Sequence, residues 1–226
     1  MSAAELAEQL GRFVEYLVDN WDNVLELAIE HAIIVAIAIA IATVIGVGLG
    51  LATYRKPRAR DLVLRVTGVF LTIPSLALYA LLISVPGLGI GAKSVVVALT
   101  LYGLLPIVRN TVTGLRGVDP AIVESALGMG MGRAQRLFRI ELPLAWPVVI
   151  TGIRVSTMIT LGIAALGSII NGPGLGELIF LGISRYGTPL ALPFTLAGFL
   201  GVVVLAALFD ALFTLLTRLT TSRGIR

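Results

Sequence analysis

The chain contains no cysteine and a single histidine, His31. It therefore has no means of forming a disulfide, a thiol nucleophile, a cysteine metal site or a histidine metal cluster. Charged residues are also scarce, at 13% of the 226 residues, whereas soluble domains carry about a quarter. Because 57% of the residues are apolar, a water-soluble fold would lack the polar surface that it needs. These scarcities exclude most soluble enzymes and indicate an integral membrane protein.

The chain is rich in apolar runs long enough to cross a bilayer as helices, which takes about 20 residues. The first is HAIIVAIAIAIATVIGVGLGLATY, and because its alternating Ile and Ala are both apolar, a helix is favoured over a strand. Ala38, Ala42, Gly46 and Gly50 recur every four residues and predict a smooth stripe for close helix packing. Five spans are predicted, giving an all-α integral membrane fold: this first run, then roughly 62–85, 94–113, 147–170 and 190–217.

An acidic segment with apolar residues at helical spacing precedes the first span. Its many carboxylates face only one arginine, Arg12, and the pattern is typical of an amphipathic helix on a membrane surface. The predicted regions are an N-terminal helix over 1–23, a membrane domain over 24–220 that includes a polar loop over 119–143, and a basic tail over 221–226.

Basic residues are distributed unequally between the two sets of loops that five spans define. Thirteen lysines and arginines lie on one side and three on the other, with Arg154 inside a span. Because loops rich in Lys and Arg face the cytoplasm, we expect the C-terminus inside the cell and the N-terminus outside. A basic cytoplasmic face also explains the net charge of +4, so no nucleic-acid partner is predicted.

The polar loop interrupts the apolar chain between the third and fourth spans and contains ESALGMGMGRAQRLFRIELP. Asp119 and Pro120 favour a helix start, since Asp accepts from the first free amides and proline suits the first turn. Three glycines then predict a bend: Gly128, Gly130 and Gly132. The helix after the bend is expected to carry three arginines along one side: Arg133, Arg136 and Arg139. This helix–bend–helix suits a groove on a soluble partner or a layer of lipid headgroups.

The spacing in this loop resembles the EAA signature of bacterial ABC importer permeases of type I. In that signature Glu-Ala-Ala is followed by Gly, Ile and Leu-Pro at fixed intervals. The matching residues here are Glu124, Ser125, Ala126, Gly130, Ile140, Leu142 and Pro143, with Ser125 in place of an alanine. The stretches TIPSLALYALL, LYGLLPIVRNTVTGLRGVDP, ELPLAWPVVITGIR and GPGLGELIFLGI resemble the glycine betaine, carnitine and choline permeases, so the resemblance covers roughly residues 24–220.

The resemblance implies a non-catalytic permease subunit in the bacterial cytoplasmic membrane that translocates glycine betaine, carnitine or choline. It implies that a separate ATPase dimer, which holds ATP and Mg²⁺, grips the loop 119–143, with Glu124 and Gly130 at the contact. A second permease chain, identical or related, and an extracytoplasmic binding protein are implied as further partners. This chain itself is expected to bind no cofactor. The alternative is an ion-coupled secondary transporter or small channel, which would need ionisable groups within the membrane.

Two ionised side chains, Arg154 and Asp210, fall inside predicted spans. Charges at membrane depth are costly unless they are paired or hydrated. We hypothesise that these two pair; the alternative is that Arg154 extends to the interface while Asp210 faces water. Tyr79 and Tyr102 could attract a quaternary ammonium by cation–π interaction, although solute selection is expected in the binding protein. His31, where the first span begins, is expected to be an interfacial residue.

Overall fold

The computed structural model describes residues 3–220, with side chains from residue 8 onward, so the predicted tail 221–226 lies outside the described residues. Every regular element in this part of the chain is helical. The α-helices are α1 Ala3–Asp19, α2 Trp21–Thr53, α3 Pro57–Thr72, α4 Ser75–Ile83, α5 Ala92–Arg116, α6 Pro120–Gly128, α7 Arg133–Arg136, α8 Leu142–Leu166, α9 Gly176–Ser184 and α10 Ala191–Thr220. A π-helical turn over Leu137–Glu141 precedes α8, and a 3₁₀ turn over Gly167–Ile170 follows it.

Among the described residues, four helical stretches are long and apolar enough to cross a membrane: Trp21–Thr53, Ala92–Arg116, Arg133–Ile170 and Ala191–Thr220. A bent pair, α3 and α4, makes a fifth span if its two helices are counted together. The predicted all-α membrane fold is thus confirmed, but the second span is not the continuous helix expected over 62–85. Pro74 separates the pair with φ −57° and ψ 135°, because proline lacks an amide donor and disfavours helix at the preceding residue.

The described chain divides into two compact units. The first unit takes its residues from Met1–Ala38, Ile73–Leu99 and Met158–Leu208, and the second from Ile39–Thr72, Thr100–Thr157 and Phe209–Arg226. Four long helices, α2, α5, α8 and α10, contribute a segment to each unit.

In the first unit the N-terminal helix α1 packs against other helices. Tyr16 is buried, and its ring centroid lies 4.6 Å from that of Phe194 in α10. It belongs to a cluster with Val24, Leu178 and Ala197. Large apolar side chains remain exposed along the rest of α1 and the start of α2: Leu10, Val14, Val18, Trp21 and Leu25. The N-terminal amphipathic helix therefore packs against its unit through one set of apolar residues and leaves a second set exposed.

The surroundings of His31 were not apparent from its place at the start of the first span. Its side chain is fully buried, and Nε2 donates a hydrogen bond of 3.1 Å to the carbonyl of Leu161 in α8. The loop at Gly174 covers the ring, and with φ +117° a Cβ at that position would come within 2.9 Å of the His31 Cβ and Nδ1. A glycine at position 174 leaves room for the imidazole, and this contact could not be predicted from the position of His31 at the start of an apolar run.

In the second unit the small residues of α2 bring α5 close. Ala42 is fully buried, a Cβ on Gly46 would lie 2.8 Å from Ile107, and one on Gly50 would lie 2.5 Å from Thr111. The predicted stripe is confirmed at these three positions, since no larger side chain fits there. Thr111 is itself satisfied, because its hydroxyl donates to the carbonyl of Ile107.

Candidate functional site

The candidate site is the polar segment 119–143 of the second unit, and its first helix begins as predicted. The Asp119 carboxylate accepts a 2.8 Å hydrogen bond from the amide of Ala121, and Pro120 occupies the first helical position. The cap satisfies an amide that would otherwise lack a partner, which stabilises a helix by about 1 kcal/mol. Nine residues of helix, α6, follow before the bend.

The bend is made by one of the three glycines. Gly130 has φ +78°, while a Cβ placed on it would meet nothing within 4 Å. Its amide donates to the carbonyl of Leu127, and the amide of Met131 donates to that of Ala126, which is the Schellman arrangement that ends many helices. Glycine is thus required here by its backbone conformation, and not by lack of space.

The segment exposes large apolar side chains alongside polar ones. Leu127, Met129 and Phe138 are exposed to 52%, 72% and 61%. Glu124 and Ser125 are exposed as well, whereas Ala126 is fully buried and anchors α6. Of the other residues that match the EAA signature, Ile140 and Leu142 are half-buried and Pro143 is exposed. An apolar surface of this kind, in a loop between long apolar helices, is suited to contact with another macromolecule.

The helix after the bend continues into the fourth span. α7 passes through the π-helical turn directly into α8, and the amide of Leu142 donates to the carbonyl of Leu137, five residues earlier. Pro143 lies at the second position of α8 and has no amide to donate, so a widened turn accommodates it without ending the helix. The part of the segment after the bend and the fourth span therefore form one continuous helical stretch that begins at Arg133.

The expectation of three arginines along one side of this helix is wrong for Arg136. Arg133 and Arg139 are exposed, but the Arg136 side chain is only 3% exposed and its Nε lies 2.8 Å from Glu141 Oε1. Residues five apart do not share a face of an α-helix, where neighbours are three or four apart. The wider π-helical turn brings the two together.

Glu141 is the centre of a polar cluster that we call the Glu141 cluster, comprising Tyr54, Arg55, Arg136 and Glu141. Arg136 Nε at 2.8 Å and Arg55 Nη2 at 2.6 Å both donate to Glu141 Oε1. The Tyr54 hydroxyl donates to Oε2 at 2.8 Å. The Glu141 side chain is 2% exposed, so this carboxylate is compensated entirely by its donors. The Arg136 Nη1 atom is buried without a hydrogen-bond partner.

The cluster also alters the acidity of Tyr54, which follows the end of α2. Burial, and then the hydrogen bond to the Glu141 carboxylate, raise the pKa of the Tyr54 phenol above its ordinary value of 10.0. The phenol therefore remains a donor throughout the physiological pH range. The Arg55 guanidinium lies over the Tyr54 ring at 5.1 Å, which adds a cation–π contact to the same corner.

Beside the cluster lies an open groove of about 580 Å³. Its lining combines both glutamates of the segment, Glu124 and Glu141, with three arginines, Arg55, Arg60 and Arg116. Leu115, Val118 and Leu127 supply its apolar part. The groove joins the exposed face of α6 to the buried cluster, so a group bound to α6 is close to the Glu141 cluster.

The structure places Arg154 of α8 against Asp210 of α10. The Nε–Oδ1 distance is 2.7 Å, and the two side chains are 40% and 44% exposed. The two charges on apolar helices thus compensate each other, but they remain accessible from outside the chain.

The two tyrosines proposed to face a solute are both enclosed. Tyr79 is fully buried and its hydroxyl donates to the carbonyl of Ile163, and Tyr102 is 2% exposed. Neither ring offers an open face to a quaternary ammonium in this conformation, so the structure does not support the suggested cation–π contact.

The Glu141 cluster is the part of the site that the residue pattern did not predict. Glu141 lies between Ile140 and Leu142, two positions of the EAA signature, and it looked like one more charge of a polar loop. The available signal was its neighbourhood: a carboxylate beside an apolar span in a loop otherwise rich in arginine requires a cationic partner.

Fold and site together define a class: a multi-pass helical membrane subunit with a bent polar segment between two of its long helices. The chain belongs to the family described as the binding-protein-dependent transport system inner membrane component, whose model matches residues 42–222. It is thus a transport subunit of the inner membrane, as expected, and this membership disfavours the ion-coupled alternative.

Two curated relatives illustrate the similarity. The chain is 37% identical over 217 residues to the choline transport system permease protein OpuBB of Bacillus subtilis (strain 168), covering 96% of this chain and 97% of that protein. It is 39% identical over 216 residues to the osmoprotectant import permease protein OsmW of Salmonella typhimurium, covering 94% and 99%. Among solved structures, a chain of the MetNI methionine ABC transporter in an inward-facing conformation matches with a TM-score of 0.77 at 20% identity, covering 88% of this chain and 96% of that one. At that identity the match supports the fold.

Proposed function

We propose that this chain is the permease subunit of an ATP-driven importer for a quaternary-amine compatible solute such as glycine betaine, carnitine or choline. The names of its relatives, a choline permease and an osmoprotectant permease that it matches along nearly their whole length, support this solute class. A binding protein delivers the solute at the outer face, where the glycine-rich stretch after Gly167 helps to receive it. A second permease chain completes the path.

The observation that carries the proposal is the bent segment with an exposed, partly apolar surface. Leu127, Met129 and Phe138 are exposed on either side of the Gly130 bend, and the Glu124 carboxylate is exposed on α6. Such a projection fits a groove on a soluble partner, with apolar contacts for affinity and a carboxylate for orientation. We assign it to the cytoplasmic side, in agreement with the distribution of basic residues, and to the ATPase dimer that holds ATP and Mg²⁺.

In this proposal the ATPase performs the chemistry and the permease performs the movement. ATP binding closes the ATPase dimer and shifts the two segments that it grips. Because the helix that begins at Arg133 is continuous with α8, a displacement of the segment is carried into the membrane-spanning part. The transport path then changes from inward-facing to outward-facing, and ATP hydrolysis resets it.

The first experiment tests the contact with the ATPase. The permease is co-expressed with a candidate importer ATPase from the same organism, and the ATPase that co-purifies in detergent is quantified. Glu124→Gln and Gly130→Ala are expected to lower its yield, the latter because φ +78° costs a residue with a Cβ about 1–2 kcal/mol. The controls are Glu15→Gln, an exposed carboxylate of α1, and Gly48→Ala, a glycine with ordinary φ and open space around it.

The second experiment tests the transport itself. Proteoliposomes containing the permease and ATPase are loaded with ATP, and uptake of radiolabelled glycine betaine, carnitine and choline is followed with the binding protein outside. Uptake of at least one of the three that requires both ATP and binding protein supports the proposal. Uptake driven by a proton gradient through the permease alone contradicts it.

A further inference from the structure

The Glu141 cluster joins two parts of the chain that are far apart in sequence. Tyr54 and Arg55 follow the last residue of α2, whereas Arg136 and Glu141 lie at the base of the segment 119–143. The single Glu141 side chain accepts hydrogen bonds from both parts, at 2.6 to 2.8 Å. The end of the first span is therefore tied to the base of the bent segment through one carboxylate.

The burial of Glu141 distinguishes its role from that of Glu124. At 2% exposure the Glu141 side chain is enclosed by its own chain and offers no surface to a docking ATPase, whereas Glu124 is exposed. Buried ion pairs contribute little net stability compared with apolar packing, but they enforce one geometry because a misaligned charge is costly. A buried carboxylate with three donors thus fixes the relative position of its donors.

We propose that Glu141 is a positioning residue that makes the end of α2 move together with the segment 119–143 during transport. The inference rests on the proposed function, in which the ATPase moves that segment. α8 is continuous with the segment and therefore moves with it. The Glu141 cluster makes a second span, α2, move with the segment as well. Without it the ATPase still docks and hydrolyses ATP, but part of the movement is lost before it reaches α2.

The ratio of solute transported to ATP hydrolysed tests this role, and it is measured in proteoliposomes of the whole complex with its binding protein. Glu141→Gln is expected to lower this ratio about tenfold, a typical size for coupling between sites, while ATP hydrolysis stays within about twofold of wild type. Glu124→Gln, at the proposed docking contact, is expected to lower uptake and hydrolysis together. Glu15→Gln serves as the control for loss of an exposed carboxylate.

Two outcomes with Glu141→Gln overturn the inference: an unchanged ratio, or a proportional loss of uptake and hydrolysis in complexes that assemble normally. Failure of the wild-type complex to take up solute with ATP refutes the proposed function instead, so the two failures are distinct. If Glu141→Gln does not assemble, Tyr54→Phe/Arg55→Gln replaces it, because this double variant removes both donors of the α2 side and leaves the Arg136–Glu141 pair. A ratio that stays at the wild-type value in Tyr54→Phe/Arg55→Gln also overturns the inference.

Cross-linking provides a readout that loss of stability does not mimic. The chain has no cysteine, so the Tyr54→Cys/Glu141→Cys double variant can be joined by thiol cross-linkers of increasing length without a competing site in this subunit. If the two parts move together, at least one linker length restores the ratio that the substitutions lower. The single Glu141→Cys variant treated with the same reagents should show no recovery. Loss of uptake on cross-linking at every length would mean that the two parts separate during transport, which contradicts the inference.

Discussion

Two carboxylates of the second unit, Glu141 and Asp210, form ion pairs that differ in the burial of the carboxylate and in the number of its donors. Glu141 is enclosed at 2% exposure and accepts from three donors, two of them arginines. Asp210 is 44% exposed and is paired with Arg154, which is 40% exposed. The first carboxylate is held within a polar cluster next to a loop, and the second lies in the middle of a long apolar helix, α10.

The difference separates a fixed contact from an adjustable one. A buried carboxylate that loses a donor leaves a charge without solvent, so the Glu141 cluster is expected to keep one arrangement throughout transport. An accessible pair can exchange partners wherever water or a side chain of another subunit replaces the lost contact. The Glu141 cluster is thus suited to transmit displacement, and Arg154–Asp210 to change partners when the path opens.

The largest expected effect is on the stability of the folded chain. Glu141→Ala leaves Arg136 buried without its carboxylate and is expected to lower the free energy of unfolding by about 3–5 kcal/mol. Thermal unfolding in detergent, with Glu15→Ala as the control, measures the effect. A loss no greater than that of the control would show that the cluster is not enclosed as described.

Exchange of charges within each pair gives the next largest contrast. Asp210→Arg alone is expected to reduce uptake strongly, and Arg154→Asp/Asp210→Arg to recover it, since a single accessible pair is restored in reverse. Arg136→Glu/Glu141→Arg should recover nothing, because Arg55 and Tyr54 would then face an arginine. Transport assays of the two double variants and of their four single variants test this contrast, and equal recovery in both exchanges would contradict it.

A smaller effect is expected at Tyr54, where one hydrogen bond of the Glu141 cluster can be removed cleanly. Tyr54→Phe should cost about 0.5–1.5 kcal/mol at neutral pH. Because the folded pKa is raised above 10.0, the protonated phenol favours the folded state below that pH, and the contribution is lost as the pH rises through the raised value. Unfolding of wild type and Tyr54→Phe is compared at pH 8 and above pH 10. A difference between them that grows with pH would contradict this assignment.

The smallest effect on stability is expected at the accessible pair. Asp210→Asn should lower the free energy of unfolding by less than Glu141→Ala does, because both side chains of this pair remain accessible and neither becomes an enclosed, unpaired charge. The same thermal measurement in detergent applies, with Asp61→Asn as the control; the Asp61 carboxylate is 51% exposed and pairs with Arg60. A destabilisation as large as that of Glu141→Ala would show that the accessible pair contributes as much to stability as the enclosed one.

Local pattern was sufficient for much of the fold and for part of the site. The long spans follow from runs of apolar residues, and the start of α6 follows from Asp119 and Pro120, because these signals depend on adjacent residues alone. The stripe of Ala42, Gly46 and Gly50 was also predictable, because residues four apart lie on one face of a helix.

The features that were missed depend on distant or context-dependent contacts. His31 is buried because Gly174 and Leu161 meet it from elsewhere in the chain. Glu141 meets Arg136 because a π-helical turn replaces an α-helical one, and it meets Tyr54 because the chain folds back. Pro74 was recognised inside a span, but its position did not show that it would divide the span into two helices.

The enclosed imidazole gives the protein a built-in spectroscopic probe. His31 is the only histidine, so isotope labelling of histidine in a preparation without a histidine tag yields one imidazole signal. Its nitrogens are unlike, because Nε2 donates to Leu161 while Nδ1 has no hydrogen-bond partner within the described residues. Any stage of the transport cycle that breaks this hydrogen bond changes the Nε2 chemical shift. Nitrogen NMR can therefore distinguish conformers of the working complex without an added label.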